Sequence, residues 1–280
     1  MKTLLIASIC LLGMTAQLKA QPKKTGAIQF ESTFDPAAMA AANGIKLSEQ
    51  ALARMPKSSV SNYELLFTLS HASYMPVEDM EDSNNSSGTQ GGGFRFGGFG
   101  GSNKDYYYSF ADHQLSSVFD LNDTSFVMQD KLGDLSVQGM GMQQAKPVVE
   151  YVKTDETKSI LGFPCHKVMV KTTMKRKILE EEKTFTDETS LWYTNDLGFD
   201  FSPVPAMWTE GAVLAIEGKS THVYAKSIEF RKVSDKDVNL PKKVVPITAE
   251  QYRVKMEARR KQFRGNRAGA NGQVRTITIN

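Results

Sequence analysis

Apolar and polar residues alternate along most of this chain. Residues 27–34 (AIQFESTF) set Ile28 and Phe30 toward one face, followed by Ser32 and Phe34, which is the period-two pattern of a half-buried strand. Residues 63–74 (YELLFTLSHASY) keep the alternation over a longer run and predict one long strand. Residues 106–110, 114–120 and 125–129 are short strand-like runs separated by Asp, Asn and His, which predicts a meander with tight turns. Residues 146–154 (KPVVEYVKT) and 166–172 (HKVMVKT) carry alternating β-branched side chains. Gly162 and Pro164 punctuate the connection between them, so the two segments are expected to be antiparallel neighbours. Runs at 184–186, 190–194, 211–217 and 222–233 bring the total to about nine candidate strands.

Helical patterning is confined to two places. Asp35 as cap and Pro36 in the first turn open an Ala- and Met-rich stretch, 37–55, that is interrupted near Asn43 and Gly44 and closed by Pro56, predicting two short helices. In the tail, Thr248 with Gln251 three residues later forms a capping box for a helix over 248–263, which Gly265, Gly269 and Gly272 are expected to end. Residues 274–279 (VRTITI) then alternate as a terminal strand suited to a sheet edge. Between the early strands, residues 79–103 read EDSNNSSGTQ and GGGFRFGGFGG, with too little to bury and too much glycine to order cheaply, so a flexible loop is expected there. The fold class that follows is mainly β. It is a curved, largely antiparallel sheet, as a half-barrel or partly closed barrel, with short N-terminal helices and a C-terminal helix.

The first twenty residues change the setting. Lys2, an apolar stretch from 4 to 14 and a polar end at Ala20 have the layout of a secretory signal peptide, with cleavage expected between Ala20 and Gln21. The apolar stretch is shorter than the roughly 20 residues a membrane span requires. Cys10 lies inside it after the bulky Ile9, which argues against lipidation. Three regions are expected: a leader at 1–20, a β-rich domain at 21–240 and a basic tail at 241–280. Without the leader, Cys165 is the only cysteine, so stability has to come from an apolar core in an oxidising compartment, periplasmic or secreted. The net charge of +3 conceals a tail with ten Lys and Arg against Glu250 and Glu257. Such a tail suits anionic surfaces or simple solvation, and an exported chain has little use for nucleic acid.

Three segments, in order, resemble the GLPGLI family of exported proteins, found mainly in Bacteroidetes and without an agreed activity. Residues 125–135 (SFVMQDKLGDL) are similar to the family's strand and acidic, leucine-containing turn. Residues 148–168 (VVEYVKTDETKSILGFPCHKV) resemble its strand, acidic turn and I-x-G-aromatic-x-C-x-K pattern through Ile160, Gly162, Phe163, Cys165 and Lys167. Residues 191–219 resemble its W-aromatic-T segment and the stretch that names it, with TEGAVLAIE in place of the hexapeptide: Gly211, Leu214 and Ile216 are kept and the proline is absent. The resemblance spans about residues 106–230 and marks a divergent member. It carries over no functional residues.

Candidate chemistry is sparse. Cys165 beside His166 has the composition of an activated thiol, but neighbours on a strand point to opposite faces, so Cys165 is expected to be a buried small apolar residue, with a reactive thiol as the alternative. His71, His113, His166 and His222 have no local zinc spacing, and neither Asp120 with Asp123 nor the 180–182 glutamates has a calcium-loop pattern, so no metal is expected. Nucleophile-elbow, phosphate-loop and dinucleotide motifs are missing, and no cofactor is expected. Trp192, Phe199, Phe201, Met207 and Trp208 form the densest aromatic stretch, interrupted by Pro203 and Pro205. They are expected either to pack the core or to line an apolar ligand groove of at least about 300 Å³. The function that follows is non-enzymatic: an exported envelope protein binding an apolar ligand or a partner segment in its curved sheet. The alternatives are an interaction module working through the basic tail and Gly-rich loop, and a thiol enzyme using Cys165.

Overall fold

The structure, a computed structural model, describes residues 25–42, 44, 46–77, 104–121, 123–132, 148–178 and 181–270. The expected leader, the Gly-rich loop and the 274–279 strand lie outside the described residues. The chain begins with β1 (Gly26–Phe34), then α1 (Pro36–Ala42) and α2 (Glu49–Arg54). A first meander follows: β2 (Ser59–Phe67), β3 (His71–Val77), β4 (Asp105–Ser109), β5 (Gln114–Leu121) and β6 (Thr124–Lys131). A second consists of β7 (Val148–Ile160), β8 (Phe163–Ile178), β9 (Glu181–Thr194), β10 (Ala212–Glu217) and β11 (Thr221–Glu229). The tail adds α3 (Asp235–Val238), β12 (Val245–Pro246) and α4 (Ala249–Ala270).

All twelve strands of the described residues belong to one sheet, ordered β12-β6-β5-β4-β3-β2-β1-β11-β10-β9-β8-β7. The strand read first in the sequence joins the two meanders. Phe30 of β1 faces Tyr63 of β2 on one side and Ala225 of β11 on the other. Pairing is antiparallel except between β12 and β6. The two ends of the order, β12 and β7, do not pair, so the sheet is mainly antiparallel as expected and is not closed into a barrel.

Alternation sorts the side chains onto two faces. Phe30, Leu65, Tyr74, Tyr108, Val168 and Leu191 share the inner face, where most of the core sits. This face is covered by the 195–211 loop and, over β5 and β6, by α4, whose Tyr252 and Met256 pack on Phe119, Phe126 and Met128. The outer face of the first meander is covered by the chain leaving β11, with Leu240 and Val244 set against Tyr107, Val118 and Val127. Each buried Val, Leu or Phe side chain contributes roughly 1.5–3 kcal/mol relative to exposure, which is how the domain holds without a disulfide.

Local signals place the helices. Asp35 Oδ1 accepts from the amides of Ala37 and Ala38, both at 2.9 Å, and starts α1. The capping box of α4 is present: Gln251 N donates to Thr248 Oγ1 at 3.2 Å and Thr248 N to Gln251 Oε1 at 3.0 Å. The helix then runs through Gly265 and Gly269 to Ala270, beyond its expected end. The single long strand expected over 63–74 is a hairpin. β2 ends at Phe67, and Thr68 turns the chain, donating through Oγ1 to His71 O and accepting from His71 N. The inner-face residues are odd-numbered before the turn and even-numbered after it, and Leu69, which would have continued the first phase, is 65% exposed. The separate runs at 184–186 and 190–194 are one strand, β9, held continuous by pairing along β8.

Candidate functional site

The five aromatic and Met residues singled out in the sequence do not form one site. Phe199, Phe201, Met207 and Trp208 come together on the inner face, whereas Trp192 lies on the outer face, opposite Lys167 and Ala215 in the sheet. Phe201 is fully buried, its ring 5.7 Å from Phe30, 5.4 Å from Tyr74 and 5.3 Å from Tyr108. Phe199 lies 4.8 Å from the ring of Phe67 and 5.3 Å from that of Phe110. Trp208 stacks on Tyr108 at 6.3 Å.

Backbone bonds fix this plug. Phe201 N donates to Gly211 O and Val213 N to Phe201 O, which ties the loop to the start of β10. Gly211 has φ 90°, and a Cβ there would sit 2.6 Å from Thr194 O, so the turn needs glycine. Its amide donates to Asp200 Oδ1 at 2.7 Å. Ser202 holds the proline corner through Val204. The phenols beneath, Tyr74 and Tyr108, have pKa values pushed well above the usual range by burial. Along this stretch the protein's own rings take the volume a ligand would use. A cavity of about 160 Å³ lies elsewhere, on the outer face, lined by Asp105, Val118, Asp120, Ser125, Lys243 and Val244 among others. It is below the ~300 Å³ of a typical small-molecule site. Asp105 there is pushed up by burial and by Asp120 nearby.

On the outer face of the second meander, Glu217 collects three donors. Lys158 Nζ lies 2.7 Å from Oε1, Trp192 Nε1 donates to Oε2 at 3.0 Å and Tyr224 OH to Oε1 at 3.3 Å. Burial alone would raise its pKa, but the Lys158 and Trp192 hydrogen bonds hold the carboxyl below the usual range. Lys158 also sits 4.0 Å above the Trp192 ring, so the indole is 7% exposed and presents no open face. Cys165 is completely buried and its pKa is pushed up by burial. Its neighbour His166 points to the inner face, against Tyr193 at 6.0 Å, so the two form no dyad.

The least satisfied surface among the described residues is β7. It pairs with β8 on one side, and no described strand pairs with the other. Val148, Glu150 and Val152 point to the outer face and Val149, Tyr151 and Lys153 to the inner one, as the register with β8 requires. Val148 is 60% exposed, Val152 54% and Tyr151 44%. Tyr151 keeps one tie, accepting from Trp208 N at 3.2 Å. Between Lys153 and Thr157 the register shifts by a bulge, and Lys153 pairs with Glu210, an exposed contact that raises the lysine pKa and lowers that of the carboxyl. Sequence reasoning identified the strand in this segment and missed its position at the sheet edge.

No protein-family model matches the chain, and no curated protein matches it at a significant level. Among solved structures, PNGF-II in a C2 crystal form is similar over 83% of this chain, with 15% identity and a TM-score of 0.49, and in a P21 form with 15% identity and a TM-score of 0.47. The chain spans about a third of the length of PNGF-II, 32% and 33% in the two forms. No helix among the described residues is long and apolar enough to cross a membrane.

Proposed function

We propose that this chain is a non-enzymatic, exported envelope protein of the GLPGLI type, and that it takes an extended segment of a partner polypeptide onto the open edge of β7. The observation that carries the reading is a thirteen-residue edge strand with Val148, Val149, Tyr151 and Val152 all exposed. Among the described residues no strand takes up that edge, which leaves about six N–H and C=O groups for a new strand. Apolar side chains on both faces favour a partner segment that is itself apolar at alternate positions. The partner-segment reading has more support than the apolar-ligand reading, because Phe201 and Met207 are packed into the core. Support for a non-enzymatic role comes from Cys165 and His166 lying on opposite faces of β8. The leader at 1–20 and the segment around Ile160, Gly162, Phe163, Cys165 and Lys167 support export and the family assignment.

The test uses thirteen-residue peptides selected by display on the native protein. Binding is expected to protect β7 backbone amides from hydrogen exchange, and to weaken at least tenfold in a Val148→Lys, Val152→Lys variant that melts like the native chain. Selected peptides that leave β7 exchange unchanged, or that bind the variant equally well, would overturn the reading.

A further inference from the structure

We infer that the partner segment sets a lysine or arginine directly opposite Glu150, within a docking window that runs from Val148 to Lys153 and stops at the bulge. The inference rests on the strand-addition reading above and adds the chemistry of the segment that β7 takes.

The backbone sets the window. Val148 to Lys153 pair one to one with Thr173 to Val168 of β8, and the register shifts only after Lys153. A straight stretch of this length turns about three N–H and three C=O groups to its open side. The residue before it, Pro147, has no N–H to offer. Beyond Lys153 the side chains are engaged within the chain: Thr154 Oγ1 donates to Lys167 O at 3.3 Å, and Glu156 pairs with Lys167 at 2.8 Å. An added strand therefore keeps its register only along Val148–Lys153, because a bulge bends the strand and breaks the ladder.

Charge selects the strand. Across the outer face, Glu150 lies opposite Lys171 of β8, and Lys171 lies opposite Glu188 of β9. One ammonium thus stands between two carboxylates, and all three side chains are exposed. Among the described residues Glu150 makes no ion pair or hydrogen bond of its own. The row runs negative, positive, negative toward the open edge, so a cation on the next strand continues it favourably. The flanks of Glu150 are apolar: Val148 and Val152, on the same face, are 60% and 54% exposed. The segment that fits carries a basic residue with apolar side chains two positions before and after it. A carboxylate at the central position would oppose like charges, which discriminates against partners that match in shape alone.

The experiment uses two peptide probes, SGTVTRTVTGS and SGTVTETVTGS, which differ only in the residue meant to face Glu150. Each is titrated against the native chain by fluorescence anisotropy, and amide exchange along β7 is read in each complex. The arginine probe is expected to bind about fivefold tighter than the glutamate probe. It should protect amides within Val148–Lys153 and leave Thr157–Ile160 unchanged. Glu150→Gln should remove the preference and Glu150→Lys reverse it, in variants that melt like the native chain, and raised salt should shrink it. Equal affinity of the two probes, or a preference that survives Glu150→Gln, would overturn the inference. If the probes or display-selected peptides still protect β7, strand addition stands and only the charge rule falls. If neither the probes nor selected peptides protect β7, both fall.

Discussion

Replacing Phe201 by Ala tests whether the 195–211 loop is core or a movable lid over a binding groove. The ring is fully buried and touches Phe30, Tyr74 and Tyr108 at centroid distances of 5.3 to 5.7 Å. Truncation of a buried Phe costs about 3–5 kcal/mol through lost transfer energy and the cavity left behind. Three edge or tilted ring contacts, each worth ~0.5–1.5 kcal/mol, place this site toward the upper end of that range. For a domain of this size, 1 kcal/mol moves the melting temperature by about 2–4 °C, so a loss of about 4 kcal/mol corresponds to roughly 8–16 °C. Urea unfolding followed by tryptophan fluorescence measures the free energy, and calorimetry the temperature. Because the loop is bonded to β10 through Phe201 itself, one cooperative transition is expected to shift as a whole. A change below about 1 kcal/mol, or an early separate transition with the main melt unmoved, would refute the assignment of Phe201 to the core and revive a groove beneath the loop.

Gly211→Ala should destabilise by at least about 1–3 kcal/mol for the left-handed backbone alone, with the close approach to Thr194 O adding to it, as read from urea unfolding. Glu217 has a lowered pKa in the folded protein, so its contribution is present above the unfolded carboxylate value of about 4.3 and is lost as pH falls through the folded value. The stability gap between the native chain and Glu217→Gln should therefore be constant near neutrality and shrink in acid; a gap independent of pH would remove this role for the carboxylate. Cys165, buried and with a raised pKa, should resist alkylation at neutral pH until denaturant is added, and rapid labelling of native protein would revive the thiol as a reactive group. Thr248→Ala should cost about 1 kcal/mol of α4 stability and speed amide exchange near Gln251, with little effect on the amides of β8 and β9.

Much of the fold was legible because strands and helix caps are local statements. The alternation in AIQF, GAVLAIE and HVYAKS reports β1, β10 and β11 directly, and Thr248 with Gln251 announces α4. The opposed directions of Cys165 and His166 follow from strand geometry alone. The errors also have local causes. Leu69 extends the apolar phase of β2 by one more position, so residues 63–74 read as a single strand, and only the Thr68 turn with its bonds to His71 separates the hairpin. Glycine in α4 reads as a stop, yet a helix once started can carry it at a cost of about 1 kcal/mol.

The candidate site was less legible, because its defining property is the order of the strands. The sequence by itself determined which residues share a face: it makes VVEYV a strand with apolar groups on both sides, and gathers Phe199, Phe201, Met207 and Trp208 into one apolar stretch. Only the tertiary structure decided that this stretch fills the inner face, that Trp192 belongs to the other side, and that β7 is left at the edge. Strand order depends on pairings such as Ala27 with Glu229, about two hundred positions apart, and local alternation carries no record of which distant strand will come to lie alongside.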